Sequence, residues 1–336
     1  MIRWLTAAVS PAGERARLAA FLFHRVPERT DPMFPGEPDA RRFDAIVRWI
    51  ASQFHVLDPI EACERLVAGT LPARAAVLTF DDGYRDNAEI ALPILERHGV
   101  RAAFFIATAY LQGGAMFNDR IFEALRRTER TTIDVGALLD GAAAGPPNGM
   151  PEPADPDAAR LSIGDAASRR AGAERIIALV KHRSPHEREQ AVERLETQCG
   201  VRARFDPMMR PEQVRELRLR GMTVGGHTRT HPILVALEED AAWEEIRGGR
   251  DDLRALLGEE IDLFAYPNGR LDRDFDPTHA AMALRAGYRF AFTTEPGAAE
   301  RGTDVSMLPR FTPWDRTRTR FGLRALRNLA SPKQAA

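Results

Sequence analysis

The chain has 336 residues, a formal net charge of −1, 44% apolar residues and 28% charged residues. That length buries a large core, as one α/β barrel with an insertion or as two smaller domains, and the near-neutral charge gives no sign of a nucleic-acid partner. Two cysteines, Cys63 and Cys199, are too few and too far apart for a disulfide framework or a thiolate metal site, so both are expected as reduced thiols.

The apolar stretch between Met1 and Ala12 is interrupted by Thr6, Ser10 and Pro11, which makes a poor signal-peptide core. No later run reaches the roughly 18–20 apolar residues of a membrane span. A cytoplasmic protein without a stable membrane span is expected, able to meet a membrane-borne substrate from the side. From Ala19 onward short apolar runs alternate with helical patterns, as in an α/β fold with a parallel sheet. Residues 19–24 read as a first strand, and Phe43, Ile46, Val47 and Ile50 have the spacing of an amphipathic helix over 43–54. Asp58 followed by Pro59 opens a second helix, with a capping side chain and Pro at the first position. Strand 75–80, a helix through Ile90, Ile94 and Leu95 stopping at Gly99, and strand 102–108 come next. The pattern changes at 114–208, read as a mostly helical insertion in a single domain spanning 1–336. Its stretch 141–156 is rich in Ala, Gly and Pro, between helical segments at 120–127 and 173–199. The alternation resumes with helix 211–220, strand 222–226, helix 237–257, strand 262–267, a helix opened by Asp276 and Pro277, and strands 288–294 and 307–311. Roughly seven strands with intervening helices favour a barrel over an open sheet.

Three polar clusters each follow directly on a predicted strand, the edge where ligand sites of parallel sheets collect. The first, Thr79-Phe80-Asp81-Asp82-Gly83-Tyr84, places two carboxylates where the chain turns out of its strand, with Gly83 free to adopt a backbone most residues avoid. Alone, it is also the composition of a capped turn. The second, Gly226-His227-Thr228-Arg229-Thr230-His231, holds two imidazoles at i, i+4. Two His and one Asp form the donor set of a catalytic metal with positions left for water and substrate. Such an ion polarises an amide carbonyl while the spare carboxylate takes a water proton. Zn²⁺ is the first expectation, and the same donors suit Co²⁺, Ni²⁺ or Fe²⁺. The third, Phe264-Ala265-Tyr266-Pro267-Asn268-Gly269-Arg270, is by itself an ordinary turn. His182 and His186 share the i, i+4 spacing, but Pro185 between them and the lack of a carboxylate after a strand mark a solvated helix start. Met208 and Met209 read as packing residues.

TFDDG at 79–83 together with H-T-x-x-H at 227–231 resembles the first two motifs of the polysaccharide deacetylase (NodB-homology) superfamily, over about 19–111 and 209–311. The resemblance implies a distorted (β/α) barrel with Asp81 as catalytic base and Asp82, His227 and His231 as metal ligands. The third cluster is similar to that family's third motif, in which an Arg two residues before the Pro contacts the base and a backbone N–H after the Pro holds the oxyanion. Tyr266, Pro267, Asn268 and Gly269 are accordingly expected on the substrate side, with Asn268 the donor. Ala265 stands where that Arg is expected, leaving Arg310 and Arg270 as candidates for orienting Asp81. The last motif of the family brings a His as general acid, yet 307–311 contains none, and Arg310 is a poor proton donor. His24, ending the first strand in Phe23-His24-Arg25-Val26, is a candidate for the site and for the acid, and a protonated Asp81 is another. Met116 to Arg120, after the second buried strand, suits a wall or lid. The implied activity is metal-dependent removal of an N-acetyl group from an amino sugar of a polysaccharide or glycan precursor. Hydrolysis of an N-formyl sugar or a ring amide, and non-catalytic carbohydrate binding, are the alternatives.

Overall fold

The computed structural model describes residues 2–139, 160–201, 205–313 and 315–331; the Ala/Gly/Pro-rich stretch 141–156 lies outside them. The chain divides into two compact units. One comprises Met1–Thr30, Gly36–Gln112 and Met208–Ala336, and the other Asp31–Pro35 and Gly113–Pro207. The strands in chain order are β1 (Arg17–Phe23), β2 (His55–Val56), β3 (Ala75–Phe80), β4 (Ala102–Ile106), β5 (Thr132–Asp134), β6 (Arg160–Ser162), β7 (Thr223–Gly226), β8 (Leu263–Ala265), β9 (Phe290–Phe292) and β10 (Ala299–Glu300).

The first unit is a curled half-barrel with strand order β10-β1-β3-β4-β7-β8-β9, and β2 pairs with β3 off this path. Every pairing is parallel except β10 on β1. Residues 308–311 span the ends of the curl, bridging Leu308 to Phe292 and Phe311 to Phe21. The Leu308 N–H donates to Ala291 O at 2.8 Å and the Leu22 N–H to Phe311 O at 3.0 Å. The segment expected as a last strand therefore acts as a short stave between β9 and β1.

Period-two alternation along each strand sorts side chains onto two faces. Ala19, Phe21, Phe23, Ala76, Leu78, Phe80, Phe104 and Phe264 belong to the large core shared with the flanking helices. The opposite face carries Leu18, Ala20, Val77, Ala103, Phe105, Ala265 and Phe292, packed with the helix Pro59–Ala68. Phe105 and Phe292 meet with ring centroids 5.6 Å apart, although β7 and β8 lie between their strands. That face is the concave interior, and small Ala20, Ala103 and Ala265 leave room in it. The parity carries past the strand ends: Asp81 continues the inward series of Val77 and Thr79, whereas Tyr266 continues the outward series of Phe264.

Local chemistry sets the helix ends much as expected. Asp58 accepts from the N–H groups of Ile60 and Glu61 at the start of Pro59–Ala68, and Gly69 ends that helix at φ 69°. The reading of 173–199 as one helical segment is corrected to two helices, Ala166–Val180 and Pro185–Cys199. Ser184 and Glu187 form a capping box there, and Pro185 cannot continue a preceding helix. In the second unit β5 and β6 pair antiparallel; each has a single apolar residue, Ile133 or Leu161, flanked by polar ones, which leaves no apolar run to mark a strand. The helices Ile2–Val9 and Arg318–Ala330 were also not anticipated, although Phe321, Ala325 and Leu329 have helical spacing and are buried. Both cysteines are buried free thiols, and Met208 and Met209 are buried. Among the described residues no helix is long and apolar enough to cross a membrane.

Gly225 and Gly226 end β7 with close packing on both faces of the sheet. A Cβ at Gly226 would lie 2.0 Å from the Tyr288 hydroxyl oxygen and one at Gly225 2.6 Å from the Phe105 ring. Gly226→Ala is expected to lose about 1–3 kcal/mol of stability through overpacking, measured by urea denaturation. Gly36→Ala, whose Cβ meets nothing within 4 Å, should stay near wild type; equal losses in both would count against this packing.

Candidate metal centre

The ends of β1, β3, β4 and β7 converge on one place because their backbones are tied together. The Asp81 N–H donates to Phe23 O at 3.0 Å, the His227 N–H to Ile106 O at 3.1 Å, and the Met209 N–H to Gly83 O at 2.9 Å. Asp82 and Gly83 take φ of 78° and 88°, so the chain reverses its sense immediately after Asp81. Thr228, His231 and Asn268 also have positive φ, of 63°, 56° and 59°. For residues with a Cβ this region is strained, at about 1–3 kcal/mol each. Four of the six such residues among the described ones thus lie in the three motifs.

The left-handed Asp82 sends its carboxylate toward both imidazoles. His227 Nε2 lies 3.4 Å and His231 Nε2 3.3 Å from Asp82 Oδ1, and the rings stand 4.8 Å apart. His227 Nδ1 donates to Ala265 O at 2.7 Å, because a carbonyl can only accept, and this leaves the Nε2 lone pair facing Asp82. Asp82 Oδ1 is buried with no hydrogen-bond partner, a costly state for a carboxylate oxygen unless a cation meets it. Two donors about 2.1 Å from a tetrahedrally coordinated ion are about 3.4 Å apart, which is the spacing found here. One donor atom from each of Asp82, His227 and His231 lies within 4.8 Å of the others, and among the described residues no other such group of His, Cys, Asp and Glu forms. The residues fit a divalent ion. Burial acts against the charge on Asp82, but the neighbouring His227, His231 and His24 outweigh it and lower its pKa. Burial pushes His231 down to about 4, toward the neutral imidazole a metal requires. For His227 the same burial is overcome by Asp81 and Asp82, which raise it.

Asp81 sits in a different environment. Arg310 Nη1 donates to its Oδ1 at 2.6 Å and Nη2 to its Oδ2 at 2.7 Å. The guanidinium also donates to Thr79 Oγ1 at 3.1 Å and, through Nε, to Thr293 O at 2.9 Å. Its Cζ lies 5.5 Å from the Phe105 ring centroid and 5.9 Å from that of Phe292. Arg310 is 0% exposed and Asp81 2%. Burial alone would raise the Asp81 carboxyl, but Arg310, with His227 and His24 behind it, holds it below the ordinary carboxylate value. Of the two arginines considered for this partner, the structure pairs Arg310; the Arg270 side chain is exposed.

The third motif divides in two. Tyr266 does not face a substrate, a correction that follows from its outward parity. Its ring stacks on Phe275 at 3.8 Å, its hydroxyl donates to Ser306 O at 2.9 Å, and it is fully buried. Pro267 is buried, while Asn268 is exposed at the turn. The Gly269 N–H is committed to Pro267 O at 2.7 Å, and among the described hydrogen bonds the Asn268 N–H donates to none. His24 is half-buried just past β1, with its backbone O accepting from Asn87 Nδ2 at 2.8 Å. It acts electrostatically on Asp81, Asp82 and His231. Thr108, Glu245 and Asp252, which support these loops, went unnoticed in the sequence, and Thr79 was seen only as part of the first motif; Glu245 and Asp252 stand seven residues apart on one helix, the spacing that could have signalled a shared face. His186, exposed, bonds Gln190 at 2.9 Å.

Comparison with known proteins follows the same residues. The family model described as polysaccharide deacetylase matches residues 68–136 and 184–291. The Bacillus subtilis (strain 168) protein YxkH, provisionally described as a polysaccharide deacetylase, is 31% identical over 93 residues. These are 27% of this chain and 32% of that protein, so the match spans about a third of the relative's length. Among solved structures, the deacetylase PplD of Streptococcus pyogenes in complex with acetate has a TM-score of 0.58 at 18% identity, covering 93% of this chain and 98% of that one. IcaB from Ammonifex degensii has a TM-score of 0.57 at 18% identity, covering 94% and 98%. At such identities the likeness concerns the fold.

Breaking the Arg310–Asp81 pair from one side leaves a buried charge. Arg310→Gln is expected to cost about 3–5 kcal/mol at pH 7. Because the folded Asp81 pKa is lowered, the pair contributes above the unfolded value of about 3.9 and is lost as pH falls through the folded one. The difference between variant and wild type should therefore narrow below about pH 4. Denaturation across pH measures it, and a pH-independent loss would contradict the pairing.

Proposed function

The chain belongs to the polysaccharide deacetylase family, and from that premise we propose that it hydrolyses the N-acetyl amide of an amino sugar in a polysaccharide or glycan precursor. The observation that carries this reading is the juxtaposition of two unlike carboxylates: Asp82, with an unpartnered oxygen facing two imidazoles, and Asp81, clamped by a guanidinium. Asp82, His227 and His231 hold the divalent ion, most simply Zn²⁺. When bound, such an ion polarises an amide carbonyl and acidifies a water.

The chain's own groups do the remaining work. Arg310 keeps Asp81 ionised through the neutral range and fixes its plane. Each carboxylate oxygen retains a second lone pair, so Asp81 can take the proton of the attacking water without releasing Arg310. The unengaged Asn268 N–H is the donor for the oxygen that becomes negative as the tetrahedral species forms. His24, in electrostatic reach of the acids, protonates the departing amine, the role left open by the absence of a His in 307–311. The substrate reading rests on the family and on amide-hydrolysing donors.

The test couples metal analysis to acetate release over free, polymeric, nucleotide-linked and lipid-linked N-acetyl sugars. Acetate from at least one class is expected; formate from an N-formyl sugar, or turnover of a ring amide alone, would replace the substrate. Asp81→Asn should retain metal and lose turnover, and His231→Ala should lose both; an active Asp81→Asn enzyme would sink the base assignment. His24→Gln is expected to lower kcat on sugar amides by about 10²–10⁴-fold. It should leave hydrolysis of 4-nitrophenyl acetate, whose leaving group needs no proton, nearly unchanged; equal losses on both substrates would remove the acid role.

A further inference from the structure

We propose that Glu245 and Asp252, on the helix Glu239–Leu257, are positioning residues that hold the His227–His231 loop in metal-binding geometry before any ion arrives. The proposal rests on the ligand assignment above. Left to itself the loop would relax, because Thr228 and His231 both sit at left-handed φ and a β-branched Thr tolerates that region poorly.

The helix supplies what opposes the relaxation. Glu245 Oε2 accepts the N–H groups of Arg229 at 2.9 Å and Thr230 at 2.8 Å, and its Oε1 accepts the Thr230 hydroxyl at 2.7 Å. Asp252 receives Arg229 Nε and Nη2, both at 2.9 Å, and the Thr108 hydroxyl at 2.7 Å. Thr108 and Ala109, just past β4, donate their N–H groups to Thr228 O at 3.3 Å and Arg229 O at 3.0 Å. Bonds donated to an ionised carboxylate are stronger than neutral ones, and these grip the two residues immediately before His231.

The helix also makes room for this. Between the two acids stand Gly248 and Gly249, and in a helix interior each Gly costs about 1 kcal/mol relative to Ala. A Cβ at Gly248 would lie 2.5 Å from the Arg229 guanidinium, and one at Gly249 2.9 Å from the Thr228 backbone. The pair thus lets the helix backbone come close enough for Glu245 to reach loop amides. Freed from Glu245, Thr228 and His231 can return to ordinary φ, which carries His231 Nε2 away from its 3.3 Å approach to Asp82 Oδ1.

The test uses the full chain. Zinc dissociation constants by chelator competition are expected to rise about 10–100-fold in Glu245→Ala. In Glu245→Gln they should stay within a few fold of wild type, since the amide oxygen still takes both N–H groups and its NH₂ can donate to Thr230. In the metal-free proteins, hydrogen exchange should show protected Arg229 and Thr230 amides in wild type and fast exchange in Glu245→Ala, with β3 and β4 unchanged. A Glu245→Ala protein that binds zinc as tightly as wild type overturns the proposal. A wild type that binds no zinc fails the ligand assignment instead, and unchanged Arg229 and Thr230 protection in metal-free Glu245→Ala then overturns the clamp by itself.

Discussion

A guanidinium does not give up its proton at any pH the fold survives, so an arginine with none of its surface in water must be matched by a fixed negative charge. Arg310 is in that position at the mouth of the half-barrel, and Asp81 answers it with both oxygens. The pair couples two things that would otherwise be independent. It ties 308–311, which spans the ends of the curl, to the end of β3, and it fixes the protonation state of the carboxylate next to the candidate metal site. The Phe105 and Phe292 rings flanking the guanidinium exclude water from the pair, which strengthens it electrostatically.

With Asp81 committed inward by strand parity, its neighbour must face elsewhere. Asp82 does so only because the backbone turns left-handed there and Gly83 follows in the same region. Two adjacent carboxylates thereby acquire unlike surroundings, one saturated by a guanidinium and one left with an oxygen that no protein donor satisfies. Divergent environments of this kind let one turn carry both the proposed metal ligand and the proposed base. The strain this requires is concentrated in the three motifs and opposed by dense hydrogen bonding around them, as expected where geometry must be held before substrate arrives.

In the third motif the position where an Arg was expected holds Ala, and the guanidinium on Asp81 comes instead from Arg310. The resemblance leads one to look for an Arg at position 265, where this chain has Ala. Ala265 faces the concave interior beside Phe292, and the small side chain leaves space there. The guanidinium enters the same interior from the 308–311 stave, on the far side of β9 from β8, at Arg310. Meanwhile the Ala265 carbonyl orients His227, a task of the backbone that substitution of the side chain leaves intact. Tyr266, one residue on, is turned to the helices and secures Phe275 and Ser306.

Much of this was legible from residues alone, because its causes are local. Continuous apolar runs marked β1, β3 and β4, Asp58 and Pro59 opened their helix, and the spacing of His227 and His231 after a strand pointed to a donor pair that Asp82 completes. Elements such as β5 and β6 were not, since each offers a single apolar residue, Ile133 or Leu161, between polar neighbours, whereas β8 and β9 of equal length are apolar throughout. Nor could sequence choose between Arg270 and Arg310, foresee that Tyr266 is core, or reveal Glu245 and Asp252 behind the histidine loop. Those matters depend on which strands become neighbours when the sheet curls and on how closely Gly248 and Gly249 let a helix approach. Residue type and spacing determine what chemistry is available, but a contact such as Arg310 to Asp81, 229 positions apart, exists only through the closure of the fold.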